Sequence, residues 1–367
     1  MPVSRRLHAI CGLCLSMCLG FPALADDPPV TSAFRMMLDA MPDVADAPAG
    51  AYQIDFGDVR MARVFLERAG AVPVDAEDRA MMALLRGGTQ IFARSASADE
   101  SSFRSANGFG FADVETNLQY ARPPMWLNMV SLGFGTGASV AQGLPEAGFT
   151  PEERHGQSVF WRGEQDYAVM QPDLPPDDLY GGAVRRSVRL ALSGDVLAFS
   201  NGWPVLDTVL TPDLPRVTED GNVRTLLDAL DLAAHEDEHM ILASLFIDIL
   251  PAEYPSPLIT ADLFGDDGHV TLVAFLPTYI IPARDQVARL QANLWGVPIN
   301  SEGDGFAEII DAEAEVLLIE ADQPAIVIRL ETAVDPDRNR LVLNRGYGAF
   351  QSLMMRRDFD RLLNDIP

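Results

Sequence analysis

The sequence predicts an α+β fold built as two similar layers of antiparallel β-hairpins, each packed by helices. Three observations predict it. Short β-type runs recur along the chain with amphipathic helical runs between them. Compact turn chemistry, as in Ser193-Gly194-Asp195 and Asp322-Gln323-Pro324, joins neighbouring strands at short range and so favours hairpins over parallel crossovers. Hairpins followed by a packing helix also occur twice, on either side of a polar stretch at residues 212–222.

Taken in order, residues 1–25 read as a signal peptide outside the fold. Arg5 and Arg6 form a positive head, residues 7–21 an apolar run, and Ala23-Leu24-Ala25 a small-x-small cleavage site before Asp26. The apolar run is too short to span a bilayer, and no later stretch reaches about 18 uninterrupted apolar residues. An acidic leader rich in Pro and Ala (26–50) carries one short helix at 31–41.

An N-terminal α+β domain is expected over 51–215. It starts with a strand at 52–56 and a helix at 59–69, with Met61, Val64 and Phe65 at core spacing. A helix at 75–85 closes at Gly87-Gly88. A strand at 125–132 and a helix at 139–146 follow. Next come a hairpin of 158–161 with 167–170 around Gly163, a hairpin of 187–192 with 196–200, and a helix at 204–210.

The C-terminal α+β domain, 222–367, begins with a helix whose Val223, Leu226, Leu227, Leu230 and Ala234 share one face. A buried strand follows at 240–250. Strands 258–264 and 269–276 pair across residues 265–268, and a helix runs over 282–295. Strands 315–320 and 325–331 form the last hairpin, and a helix at 349–363 ends the chain.

The stretch NGFGFADVETNLQYARPP (107–124), the tryptophan hairpin SVFWRGE and the hairpin RRSVRLALSGDVLAFSNGWPVLDTVL follow one another in this order. Over roughly residues 107–211 the succession resembles a family of uncharacterised exported bacterial proteins and lipoproteins. The resemblance implies a shared fold and transfers no catalytic residue.

Composition excludes several functions. The 27 basic residues, none of them lysine, face 53 acidic ones. Removal of Arg5 and Arg6 with the signal leaves 25 against 53, a net charge of −28. Such a surface repels phosphate backbones, so nucleic acid is not an expected partner. The three cysteines, Cys11, Cys14 and Cys18, all lie in the signal. The mature chain is therefore expected to have no disulfide, thiolate metal site or cysteine nucleophile.

One motif offers chemistry. Residues 234–240, AHEDEHM, fit H-E-x-x-H, which on a helix sets two imidazoles on one face to hold zinc, with a glutamate as general base. On that reading the protein is a zinc-dependent hydrolase with His235 and His239 as metal ligands and Glu236 catalytic. Helical phase argues against it. Arg224, Asp228, Asp231 and His235 fall opposite the apolar face, towards solvent, whereas continuing the helix would turn Asp237 and Glu238 into the core. A helix end followed by a strand is therefore expected, with no metal and no cofactor.

Other motifs fail at specific positions. Gly133-Phe134-Gly135-Thr136-Gly137-Ala138 fits a loose dinucleotide loop, but no acid ends a second strand about twenty residues on, so it reads as a strand-to-helix turn. Residues 335–346 begin like a calcium loop, yet Arg340 stands where glycine is required and Gly346 where the bidentate glutamate belongs. Gly137-Ala138-Ser139-Val140-Ala141 lacks the second glycine of a nucleophile elbow. His155 reads as a surface histidine.

Trp126, Trp161, Trp203 and Trp295, with the pairs Met36-Met37, Met81-Met82 and Met354-Met355, remain as candidates for an apolar binding surface. The sequence thus points to an exported, periplasmic or secreted protein that binds another protein or a small apolar ligand without catalysis. The zinc hydrolase is the alternative.

Overall fold

A computed structural model describes residues 28–43, 52–70, 75–93, 99–122, 125–168, 177–181, 187–248, 255–266, 268–277, 281–297, 305–320, 323–334, 343–356 and 358–363. Residues 1–25, expected to be a signal peptide, and residues 335–342 of the calcium-like segment lie outside them. The first half comprises α1 (Ser32–Asp39), β1 (Tyr52–Asp58), α2 (Val59–Arg68), α3 (Ala76–Gly87), α4 (Gln90–Ala93) and α5 (Glu100–Asn107). It continues with β2 (Val114–Arg122), β3 (Met125–Leu132), α6 (Thr136–Gly143), β4 (Thr150–Arg154), β5 (Gln157–Arg162), β6 (Val188–Ser193), β7 (Val196–Ser200) and α7 (Trp203–Leu210). The second half comprises α8 (Gly221–Ala233), β8 (His239–Ile247), β9 (Leu258–Phe264), β10 (His269–Phe275) and α9 (Ala283–Gly296). It ends with α10 (Phe306–Ile310), β11 (Glu313–Ile319), β12 (Ala325–Thr332), α11 (Arg345–Met355) and α12 (Asp360–Leu363).

The α+β class holds. The twelve strands among the described residues form one antiparallel sheet in the order β11-β12-β10-β9-β8-β1-β2-β3-β7-β6-β5-β4. The hairpins of the two halves thus lie side by side in one sheet. They meet where β1 pairs with β8, with Ile54 opposite Leu245 and Phe56 opposite Ala243. Alternation sends these four side chains to one face. There they join Phe34 of α1, Leu206 of α7 and Leu226 and Leu230 of α8 in a single core. The other face carries two separate cores. One, under α2, α3, α5 and α6, contains Phe65, Leu84, Phe103, Val140 and Phe199. The second, under α9 to α12, contains Val273, Leu290, Ile328, Phe350 and Leu362.

Local chemistry explains the element ends. Asp58 and Asp220 cap α2 and α8 by accepting from Met61 N and Val223 N at 3.1 and 2.9 Å. Gly57 and Gly87 let α3 touch the sheet: a β-carbon built on Gly57 would sit 2.0 Å from Gly87 O. Asn117 fixes that approach, donating to the carbonyls of Gly57 and Gly87, both at 3.1 Å.

Several expectations are corrected. The hairpin predicted around Gly163 is absent at Tyr167 and Ala168, which are not strand, while Val169 and Met170 lie outside the described residues. Instead β5 turns back onto β4 through His155 and Gly156, both at positive φ (51° and 74°). Strand β2, whose polar residues mask its pattern, pairs on both sides. The final helix is two, because α11 starts at the cap residue Asn344 and ends by Arg356. Asp231 does not face open solvent. It accepts from Thr31 N and Oγ1 at 2.9 and 2.8 Å and from Arg35, which docks α1 on α8.

Candidate functional site

The H-E-x-x-H segment straddles two elements. Helix α8 ends at Ala233 and β8 begins at His239. Glu236 and His235 are exposed, and the His235 Nδ1 lies 3.5 Å from Arg329 Nη2 and 3.6 Å from Glu238 Oε1. Arg329 stands opposite Leu272, on the face that carries α8. The His239 ring instead packs at 5.3 Å on Phe264, its cross-strand partner, on the other face. The sheet therefore separates the two imidazoles. Among the described residues no group of three His, Asp or Glu side chains is placed to hold a metal ion. Glu238, expected to avoid burial, is buried and ion-paired with Arg329. The paired charge offsets part of the penalty of burying that carboxylate.

The glycine-rich turn before α6 is occupied from within the chain. Asp195, at the β6–β7 turn, accepts from Gly135 N and Gly137 N at 3.0 and 2.8 Å, where a phosphate would sit in a dinucleotide site.

The four tryptophans do not converge. Trp161 and Trp203 share Arg189, whose guanidinium carbon lies 5.9 and 5.3 Å from their ring centroids. Arg154 stacks on Trp203 at 4.3 Å and is held by Asp207 at 2.7 Å. Trp126 is on the opposite face, edge-on to Phe199 at 5.9 Å. Trp295 sits at the end of α9, 44% exposed. No helix among the described residues is long and apolar enough to cross a membrane.

The sheet centre holds an arrangement that sequence reasoning missed. Five adjacent strands put Thr260, Ser244, Asp55, Gln119 and Asn128 in register, one per strand, as a polar row across the face opposite α8. Val273 and Phe199 bound the row, and they belong to the two separate cores of that face. The row therefore lies at the seam between the cores.

Helix α11 covers one end of the row. Its Tyr347 hydroxyl is 3.1 Å from Ser244 Oγ, and Gln351 Nε2 donates to Thr260 Oγ1 at 2.7 Å. Ser244 and Gln53 donate to Asp55 Oδ1 at 2.6 and 2.8 Å. Burial pushes the Asp55 carboxyl above its ordinary range, against those two hydrogen bonds. Burial, with the charge of Asp55, also pushes the Tyr347 hydroxyl up. At the other end the Oε1 of Gln119 and the Oδ1 of Asn128 are shut off from solvent and accept no hydrogen bond among the described residues. An orphaned buried acceptor costs about 1–3 kcal/mol, so a guest that brings donors is favoured there. Asp55, Gln119 and the neighbouring Trp126 are half-buried and Asn128 is buried, so a guest gains the two amide oxygens only by turning these side chains aside.

Each strand contains a hint in isolation, such as the lone asparagine in MWLNMVSL or the first of the two aspartates in YQIDFGD. Alternation sends those residues to one face but leaves that face free to be solvent. Only the strand order stacks them into a row.

No family model matches the chain, and no curated protein matches it. Among solved structures, crystal forms I and III of TP0453 superpose with TM-scores of 0.35 and 0.36, at 10% and 8% sequence identity. The matches cover 90% and 89% of this chain and 98% of that protein's chain in both cases. Likeness at this level carries no argument.

Proposed function

We propose that the chain is an exported, periplasmic or secreted protein that acts by binding without catalysis, and that its ligand site is the polar row at the seam. One observation carries the site: two buried carbonyl acceptors, Gln119 Oε1 and Asn128 Oδ1, lie in register with the carboxyl of Asp55 and have no partner among the described residues. Export rests on the order of charge, apolar run and Ala-x-Ala at residues 1–25. The reading differs from an apolar groove in one respect, since it assigns a polar ligand with Trp126 alone of the four tryptophans beside it. The high negative charge supports a partner other than nucleic acid.

Native mass spectrometry of protein isolated from the exported fraction tests both parts. The expected result is a chain starting at or near Asp26 that retains a small molecule, with retention lost in Asp55→Asn/Asn128→Leu. A chain that keeps Met1 overturns export. One zinc per chain, with a hydrolytic activity abolished by Glu236→Gln, overturns the binding reading in favour of the hydrolase.

A further inference from the structure

Resting on that reading of the site, we propose that the ligand is a small organic ammonium ion, its charge on Asp55 and its remaining N–H or O–H donors on Gln119 and Asn128. The carboxyl of Asp55 and the two orphaned amide oxygens are acceptors, and the NH2 groups beside those oxygens are donors, so the charge of Asp55 sets the class of the guest. A ligand rich in acceptors, such as an anion or a carboxylic acid, would meet repulsion from Asp55 and leave the two amide oxygens unsatisfied. Asp55 makes no ion pair among the described residues, and its bonded partners Ser244 and Gln53 are neutral. A buried cation on this face, Arg86, is paired with Asp262 at 2.8 Å. A buried carboxylate without a counter-charge is costly, and an incoming cation removes that cost. The pushed-up pKa of Asp55 is what an uncompensated carboxyl at this place should have.

The spacing limits the guest's size. Neighbouring strands lie roughly 4.8 Å apart, so Asp55, Gln119 and Asn128 span about 10 Å. A diamine or an amino sugar covers that span, whereas a bare metal ion reaches one of the three. The surrounding field favours the same class, because the chain carries a net charge of −26 that draws cations to it.

Isothermal titration of the purified protein in about 0.15 M salt, where surface charge is screened, decides the class. The probes are 1,4-diaminobutane and glucosamine, each compared with its neutral counterpart, 1,4-butanediol and glucose. At least one amine should bind saturably, with affinity roughly 10- to 100-fold above its counterpart, the range of one charge-assisted hydrogen bond. Asp55→Asn should abolish the preference, Asn128→Leu should weaken amine binding, and Glu146→Gln, a change at an exposed surface acid, should leave both unaltered. Thermal melts confirm that each variant is folded. If alcohol and amine bind equally and both are lost in Asn128→Leu, the ammonium class falls while the binding site stands. If none of the four binds at millimolar concentration, the ammonium inference is overturned, and ligand retention in native mass spectrometry judges the binding reading separately.

Discussion

The guanidinium of Arg329 holds the carboxylate of Glu238 across the end of α8, and the same guanidinium donates to the carbonyl of Ala233 at 3.1 Å. Glu238 in turn accepts from His235 N at 3.0 Å. The pair thus satisfies orphan backbone groups at the helix terminus and fixes the turn into β8. In the AHEDEHM segment the second glutamate, outside the motif's fixed positions, has a structural task.

That assignment predicts the order of mutational effects. Glu238→Ala leaves a buried arginine without its main partner and should cost about 3–5 kcal/mol. His235→Ala and Glu236→Ala change exposed side chains and should stay within about 0.5 kcal/mol. Urea unfolding of the three variants checks this. A Glu236→Ala loss equal to that of Glu238→Ala would sink it.

A second buried pair joins the helices of the first half to the sheet of the second. Arg86 of α3 and Asp262 of β9 are each at most 2% exposed at the side chain, and Asp262 also accepts from Asn344 Nδ2 at 2.8 Å. Arg86→Met should destabilise by about 3–5 kcal/mol, since it strands a carboxylate. Neutralising that carboxylate with Asp262→Asn should recover part of the loss. The double variant is expected to fall short of the summed single effects by about 0.5–3 kcal/mol, as read by a double-mutant cycle. Strict additivity would mean the two charges are not coupled.

Asp55 predicts a pH dependence of unusual sign for an acid. Burial raises its folded pKa above the unfolded value of about 4, so the folded chain holds the proton more tightly. Unfolding then releases a proton, and this contribution to stability falls as pH rises from about 4 through the folded pKa. Asp55→Asn cannot titrate and should gain on wild type over that interval. Denaturation midpoints of both proteins at pH 4, 5, 6, 7 and 8 provide the comparison. Curves that stay parallel would contradict it.

The sequence made most elements legible because their periodicity is local. The Leu and Val spacing of α8 and the Ser193-Gly194-Asp195 turn need no distant partner to be read. What escaped depends on pairing between remote strands. Asp55 and Ser244 are 189 residues apart in the chain, and nothing near either one announces the other. Glu238 reads from the sequence as misplaced in a core, because its counter-charge, Arg329, lies 91 residues away. Trp161 and Trp203 illustrate the same limit, since their common neighbour Arg189 turns two apolar candidates into one cation-π cluster.

The sheet's first edge supplies the last prediction. Strand β11 ends the strand order, so its outward N–H and C=O groups are open to pairing with another chain. The side chain of Gln291, from α9, occupies two of them. Its Nε2 donates to Ala314 O at 2.9 Å and its Oε1 accepts from Val316 N at 2.7 Å, as a neighbouring strand would do. Gln291→Leu keeps the bulk and removes both hydrogen bonds. It should lower stability by about 1–3 kcal/mol through the orphaned backbone groups. It should also create a concentration-dependent dimer or aggregate by freeing the edge. Light scattering after size-exclusion chromatography, over a hundredfold range of protein concentration, reads the second effect. A variant that is destabilised yet shows the same mass as wild type at every concentration would leave Gln291 a packing residue and remove its role as guardian of the edge.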